Sequence, residues 1–79
     1  NNLGVAYMEK GLLDEAINKF NTAIRVAPDF PDAYNNLGLA YKKKGLLKEA
    51  RQEFEKALQL SPDHPNARRN LEEVKSETL

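Results

Sequence analysis

YNNLGLAYKKKGLLKEARQEFEKALQLSP, at residues 34–62, is the unit that the rest of the chain copies: its residues 35–62 align with residues 1–28, 34 residues earlier. Aligning residues 1–34 with residues 35–68 gives 18 identical positions out of 34. A fixed period of this length is the signature of a repeat architecture, in which each unit buries its apolar face against its neighbours. The chain is therefore interpreted first as two copies of one unit followed by a remainder.

Apolar residues recur within each copy at three- and four-residue spacing, which predicts helices. The predicted helices cover about residues 1–10, 14–27, 31–44, 48–60 and 65–79. Gly11 and Gly45 end the first helix of each copy, and Pro28 and Pro62 end the second. No apolar alternation of period two occurs, so no strand is predicted.

Two features of the helices bear on packing. Gly4 and Gly38 lie inside predicted helices, where glycine costs about 1 kcal/mol relative to alanine, so close helix packing is predicted at both. The fifth helix keeps only Ala67, Asn70 and Leu71 of the repeat pattern and is otherwise polar. A polar terminal helix is typical of a capping element.

Composition limits the classes of function. The chain has 79 residues, is 41% hydrophobic and 30% charged, and carries no formal net charge. No overall field would attract nucleic acid or anionic lipid, and no apolar run is long enough to span a membrane. The absence of cysteine excludes disulfides and favours a reducing compartment such as the cytoplasm. Because the chain begins at Asn1, inside the repeat, we interpret it as an excised or processed piece.

The repeated residues resemble the tetratricopeptide repeat (TPR), a 34-residue helix–turn–helix unit. The matching positions of the second copy are Leu37-Gly38-x2-Tyr41, Ala50-x3-Phe54, Ala57 and Pro62, with Tyr34 in the tryptophan slot. Those of the first copy are Leu3-Gly4-x2-Tyr7, Ala16-x3-Phe20, Ala23 and Pro28. The resemblance implies an all-α fold, an α-solenoid of antiparallel helix pairs. Its units would be an N-terminally truncated TPR at residues 1–30, a second TPR at 31–64 and a capping helix at 65–79.

The resemblance also implies a function: the first helices of TPR pairs line a concave groove that binds peptides or protein segments. We therefore expect a non-catalytic interaction module without cofactor or metal, whose partner is a protein or peptide. The predicted peptide-binding residues are Asn2, Val5, Asn35, Asn36, Leu39, Lys42, Lys43 and Asn70.

Two subsets of these residues have a specific rationale. Asn2, Asn36 and Asn70 recur every 34 residues, and their amides could hold the backbone of an extended peptide; alternatively, they cap or bond locally. Val5 and Leu39 could contact an apolar ligand side chain, or could be ordinary exposed aliphatic residues.

Some TPR domains hold acidic chaperone tails in a carboxylate clamp, which requires asparagine after the first repeat's glycine and basic residues in the third repeat. Val5 follows Gly4 here, and Asn66 and Asn70 occupy the third-repeat positions. Only Asn36 fits this pattern, so binding of that type is not expected.

Two further features carry weaker indications. A basic cluster, defined as Lys42, Lys43, Lys44, Lys48 and Arg51, could steer an acidic ligand, but such runs are more often solvated helix ends. His64, the single histidine, has no catalytic or metal partner by spacing and is interpreted as structural or incidental.

A competing hypothesis is structural self-assembly. The first repeat is truncated, so Leu3, Tyr7 and Phe20 would lack a preceding neighbour, and at least three repeats are usually needed for stability. Homo-oligomers formed through the open repeat end would cover these residues.

Overall fold

The structure is a computed structural model that describes residues 2–77, apart from the side chain of Asn2. Within that range the chain forms helices α1 (Asn2–Glu9), α2 (Leu13–Val26), α3 (Pro31–Lys43), α4 (Leu47–Leu60) and α5 (Pro65–Glu77). These described residues include no strand. The all-α prediction is confirmed, and every helix boundary lies close to its predicted position.

Glycine forms the turn between the two helices of each pair. Gly11 and Gly45 adopt φ values of 81° and 84°, a backbone region that residues with a Cβ rarely adopt. The chain then closes on the preceding helix, because Gly45 N–H donates to Lys42 O at 3.0 Å and Leu46 N–H donates to Tyr41 O at 2.9 Å. This pattern is the Schellman motif, which satisfies the last carbonyl groups of a helix.

The connection between the two pairs is held by Tyr34, in the first turn of α3. Its hydroxyl donates to the carbonyl oxygen of Pro28 at 2.7 Å, which ties the linker to the helix that follows. Pro31 is the first residue of α3, a position at which a backbone N–H would have no hydrogen-bond partner within the helix. The linker is therefore fixed at both of its ends.

Two buried clusters form the core. The first core cluster consists of Ala16, Phe20, Leu37 and Ala40, and the second consists of Ala50, Phe54, Leu71 and Val74. Each cluster joins the second helix of one pair to the first helix of the next unit. The α5 helix therefore covers α4 in the way that α3 covers α2, which is how a solenoid buries its apolar faces.

Two expectations about the ends of the chain need correction. Val74 is fully buried at the register position of Ala40, so α5 contributes more to the core than its polar sequence indicated. Phe20 is also fully buried and does not lack a neighbour, whereas Leu3 is 52% exposed and its copy Leu37 is 2% exposed. The apolar surface that the first unit leaves exposed is therefore smaller than the sequence predicted, because it does not include Phe20.

Candidate functional site

The predicted peptide-binding residues lie on α1, α3 and α5, and the two aliphatic ones are partly used in packing. Val5 is half-buried against the first core cluster, and Leu39 is half-buried against the second. Each keeps part of its surface accessible, so a contact with a ligand side chain stays a prediction. Asn36 is half-buried and Lys43 is exposed. The side chain of Asn2 lies outside the described residues.

Asn35 and Asn70 bond to each other. The Nδ2 group of Asn70 donates to Oδ1 of Asn35 at 2.9 Å, and Asn35 is only 5% exposed. Two of the predicted amides therefore join α3 to α5. The Asn70 amide thus bonds within the chain to a different helix, and a role in ligand binding stays a prediction.

Lys42 is also engaged with α5. Its Nζ lies 2.6 Å from Oε2 of Glu73 and 3.8 Å from Oε1 of Glu77. The hydrogen bond to Glu73, helped by the charges of both carboxylates, raises the pKa of Lys42. The same bond lowers the pKa of Glu73. Lys42 therefore meets any ligand as a cation already paired within the chain.

The rest of the basic cluster is partly neutralised as well. Lys44 Nζ lies 2.5 Å from Oδ1 of Asp14 on α2, and Arg51 Nε lies 3.4 Å from Oε2 of Glu55 on α4. These contacts favour the interpretation of the run as a solvated helix end with internal partners.

His64 has an acidic partner that its sequence spacing did not reveal. Its Nε2 lies 2.6 Å from Oδ1 of Asp32, and the backbone N–H of Ala67 donates to its Nδ1 at 3.1 Å. Because Nδ1 accepts, Nε2 carries the proton and donates to Asp32. The imidazole thus caps the start of α5 and bonds across to α3, which agrees with the interpretation of His64 as structural.

No group of three or more metal-ligating side chains and no enclosed pocket occurs within residues 2–77. None of the helices in that range is long and apolar enough to cross a bilayer. The candidate site stays the predicted set of residues on α1, α3 and α5.

Helix pairs that cover one another through repeated apolar positions define an α-solenoid repeat protein. Family models described as "TPR repeat" and "Tetratricopeptide repeat" match residues 4–45 and 31–64. The chain belongs to the tetratricopeptide repeat family. No curated protein matches the sequence.

Three solved structures share the fold. The first TPR of Spaghetti (RPAP3), bound to the HSP90 peptide SRMEEVD, has a TM-score of 0.90 at 24% identity over 95% of this chain. The first TPR domain of human RPAP3 has a TM-score of 0.89 at 25% identity over 92%. The second human RPAP3 domain, in complex with the HSP70 peptide SGPTIEEVD, has a TM-score of 0.87 at 30% identity over 91%. This chain spans 60%, 57% and 60% of those chains.

Proposed function

We propose that this chain is a non-catalytic interaction module that binds a peptide or an extended protein segment on the face of α1, α3 and α5. The observation that carries the proposal is that the second human RPAP3 domain, with the same fold and 30% identity, holds a peptide. The first TPR of Spaghetti (RPAP3), which shares the fold, also holds one.

The proposed mechanism divides the ligand between backbone and side chains. The carboxamide of Asn36 offers donors and an acceptor to an extended backbone. The exposed parts of Val5 and Leu39 offer apolar surface to alternate ligand side chains. Lys43 is exposed at the end of α3 and adds a charge at the edge of the face.

The test compares Asn36→Ala with Asn21→Ala, a matched change on the exposed surface of α2. A peptide selected from a random phage-displayed library on the wild-type chain is measured by calorimetry against all three proteins, and circular dichroism melts check folding. We expect Asn36→Ala to weaken binding by about tenfold, equivalent to one lost net hydrogen bond of about 1.4 kcal/mol, and Asn21→Ala to leave it unchanged. Equal affinities for the three proteins, or no enriched peptide, would contradict the proposal.

One observation favours the self-assembly hypothesis: Leu3 is 52% exposed. The solved structures that share the fold give this hypothesis no support. Sedimentation over a range of concentrations distinguishes the two functions, because self-assembly requires a mass that rises with concentration. A strict monomer would contradict self-assembly.

A further inference from the structure

Residue 73 on α5 differs in character from the equivalent residues of α1 and α3. Residues 5, 39 and 73 are register equivalents, since each is 34 residues from the next, and they are valine, leucine and glutamate. The aliphatic copies pack against the core clusters, whereas Glu73 reaches back to α3 and contacts Lys42 at 2.6 Å. Glu77, one helical turn later, approaches the same ammonium group at 3.8 Å.

The exposures of the three side chains show which charge a ligand meets. The Lys42 side chain is 22% exposed, whereas those of Glu73 and Glu77 are 48% and 46% exposed. A peptide that approaches this part of the face therefore encounters carboxylate oxygens before it reaches the ammonium group. A ligand carboxylate would have to displace Glu73 from Lys42 and accept the repulsion of both glutamates.

We propose that Glu73 and Glu77 act as built-in anionic occupants of Lys42 and select against acidic peptides on this face. The preferred ligand is then a peptide with neutral or basic residues where it crosses from α3 to α5. This inference rests on the proposed peptide-binding function and specifies its ligand class.

The experiment uses the peptide SRMEEVD as an acidic probe and the variant Glu73→Gln/Glu77→Gln. Glutamine keeps the side-chain length and removes both charges. At low ionic strength we expect the variant to bind the probe about fivefold more tightly than the wild type, because exposed ion pairs contribute up to about that factor. The gain should shrink when the ionic strength is raised to about 1 M, where the Debye length is about 3 Å.

Two controls separate the contact from net charge. The double variant Glu49→Gln/Glu72→Gln removes two exposed charges from other positions on α4 and α5 and should give a smaller gain. Adding Lys42→Met to Glu73→Gln/Glu77→Gln should abolish the gain, because the freed ammonium group is what the probe binds. An unchanged affinity, or an equal gain in the control double variant, would overturn the inference.

The failure of this inference is distinguishable from failure of the proposed function. If Glu73→Gln/Glu77→Gln gains nothing while the library-selected peptide still depends on Asn36, peptide binding stands and the charge selection is wrong. If the gain occurs and depends on Lys42 while the library-selected peptide is indifferent to Asn36→Ala, the charge selection stands and the contact at Asn36 is wrong.

Discussion

The ring of Phe54 lies directly against the backbone of Gly38: a Cβ placed on residue 38 would be 2.5 Å from Cε1 of the ring. Phe20 and Gly4 repeat this contact at the same 2.5 Å, and both rings are fully buried. The predicted close packing at the two glycines is confirmed. Its physical reason is an aromatic ring from the second helix of each pair, which occupies the space that a side chain would need.

We predict that Gly38→Ala destabilises the chain although alanine is the better helix former. The propensity gain is about 1 kcal/mol, whereas forcing a methyl group into a packed core costs about 1–3 kcal/mol. The expected net result is a lower free energy of unfolding in urea. Phe54→Leu provides the control, since the substitution Gly38→Ala should be better tolerated in that background. A wild-type or higher stability for Gly38→Ala alone would show that the ring moves aside freely.

The fold was predictable because the chain contains two copies of one repeat, which can be aligned with each other. Each position of α3 and α4 can be read against its copy in α1 and α2, and agreement between copies marks the residues that pack. Alignment of the copies gives no guidance where one copy has diverged. Val74 stands at the position equivalent to Ala40 but lies among polar residues in the sequence, so its complete burial was not predicted. Burial there follows from the position on the helix and from Phe54 on α4, with which Val74 shares the second core cluster.

The candidate site was less predictable, for a related reason. Its cross-helix bonds join positions that are not register equivalents, such as Asn35 with Asn70 and Lys42 with Glu73. A period of 34 residues aligns Asn36 with Asn70 and gives no sign that Asn70 turns toward Asn35 instead. Such pairs depend on the rotation of α5 against α3, which the sequence period does not specify.

We predict that Asn70→Ala is destabilising because it removes a hydrogen bond to the amide oxygen of the buried Asn35. The Asn35 carboxamide oxygen would then lie in the α3–α5 contact without the bond from Asn70. Leaving a buried acceptor unsatisfied costs about 1–3 kcal/mol. Chemical denaturation of Asn70→Ala measures this, with Asn66→Ala as an exposed control on the same helix. The double change Asn35→Ala/Asn70→Ala should cost less than the sum of the single changes, and strict additivity would argue against the bond.

We predict that His64 stabilises α5 mainly as its N-terminal cap. His64→Ala removes the acceptor of the Ala67 N–H and should cost about 1 kcal/mol, the usual value of a lost cap. His64→Asn should retain most of the stability, since asparagine is a strong N-cap residue. Asp32→Ala removes the other hydrogen-bond partner of the imidazole, which is an exposed carboxylate, and should have a smaller effect. Thermal melts of the three variants give the order. A loss for Asp32→Ala as large as that for His64→Ala would mean that the bond to Asp32, and not the cap, supplies the stability.

Glu53, on α4, is a carboxyl group in a residue that is only 9% exposed. Burial raises the pKa of this carboxyl above its ordinary value, against a smaller opposite effect of Lys56, whose Nζ lies 3.8 Å from Oε2. Between the ordinary and the raised pKa the folded chain binds more protons at this group than the unfolded chain does. Its contribution to stability therefore decreases as pH rises through that window.

We predict that Glu53→Gln removes this pH dependence of the stability. We expect the variant to be more stable than the wild type at about pH 7 and nearly equal to it at about pH 3.5. Denaturation at both pH values, with Glu49→Gln as an exposed control on the same helix, measures the difference. A Glu53→Gln effect that is the same at both pH values would mean that the glutamate acts through packing and not through its charge.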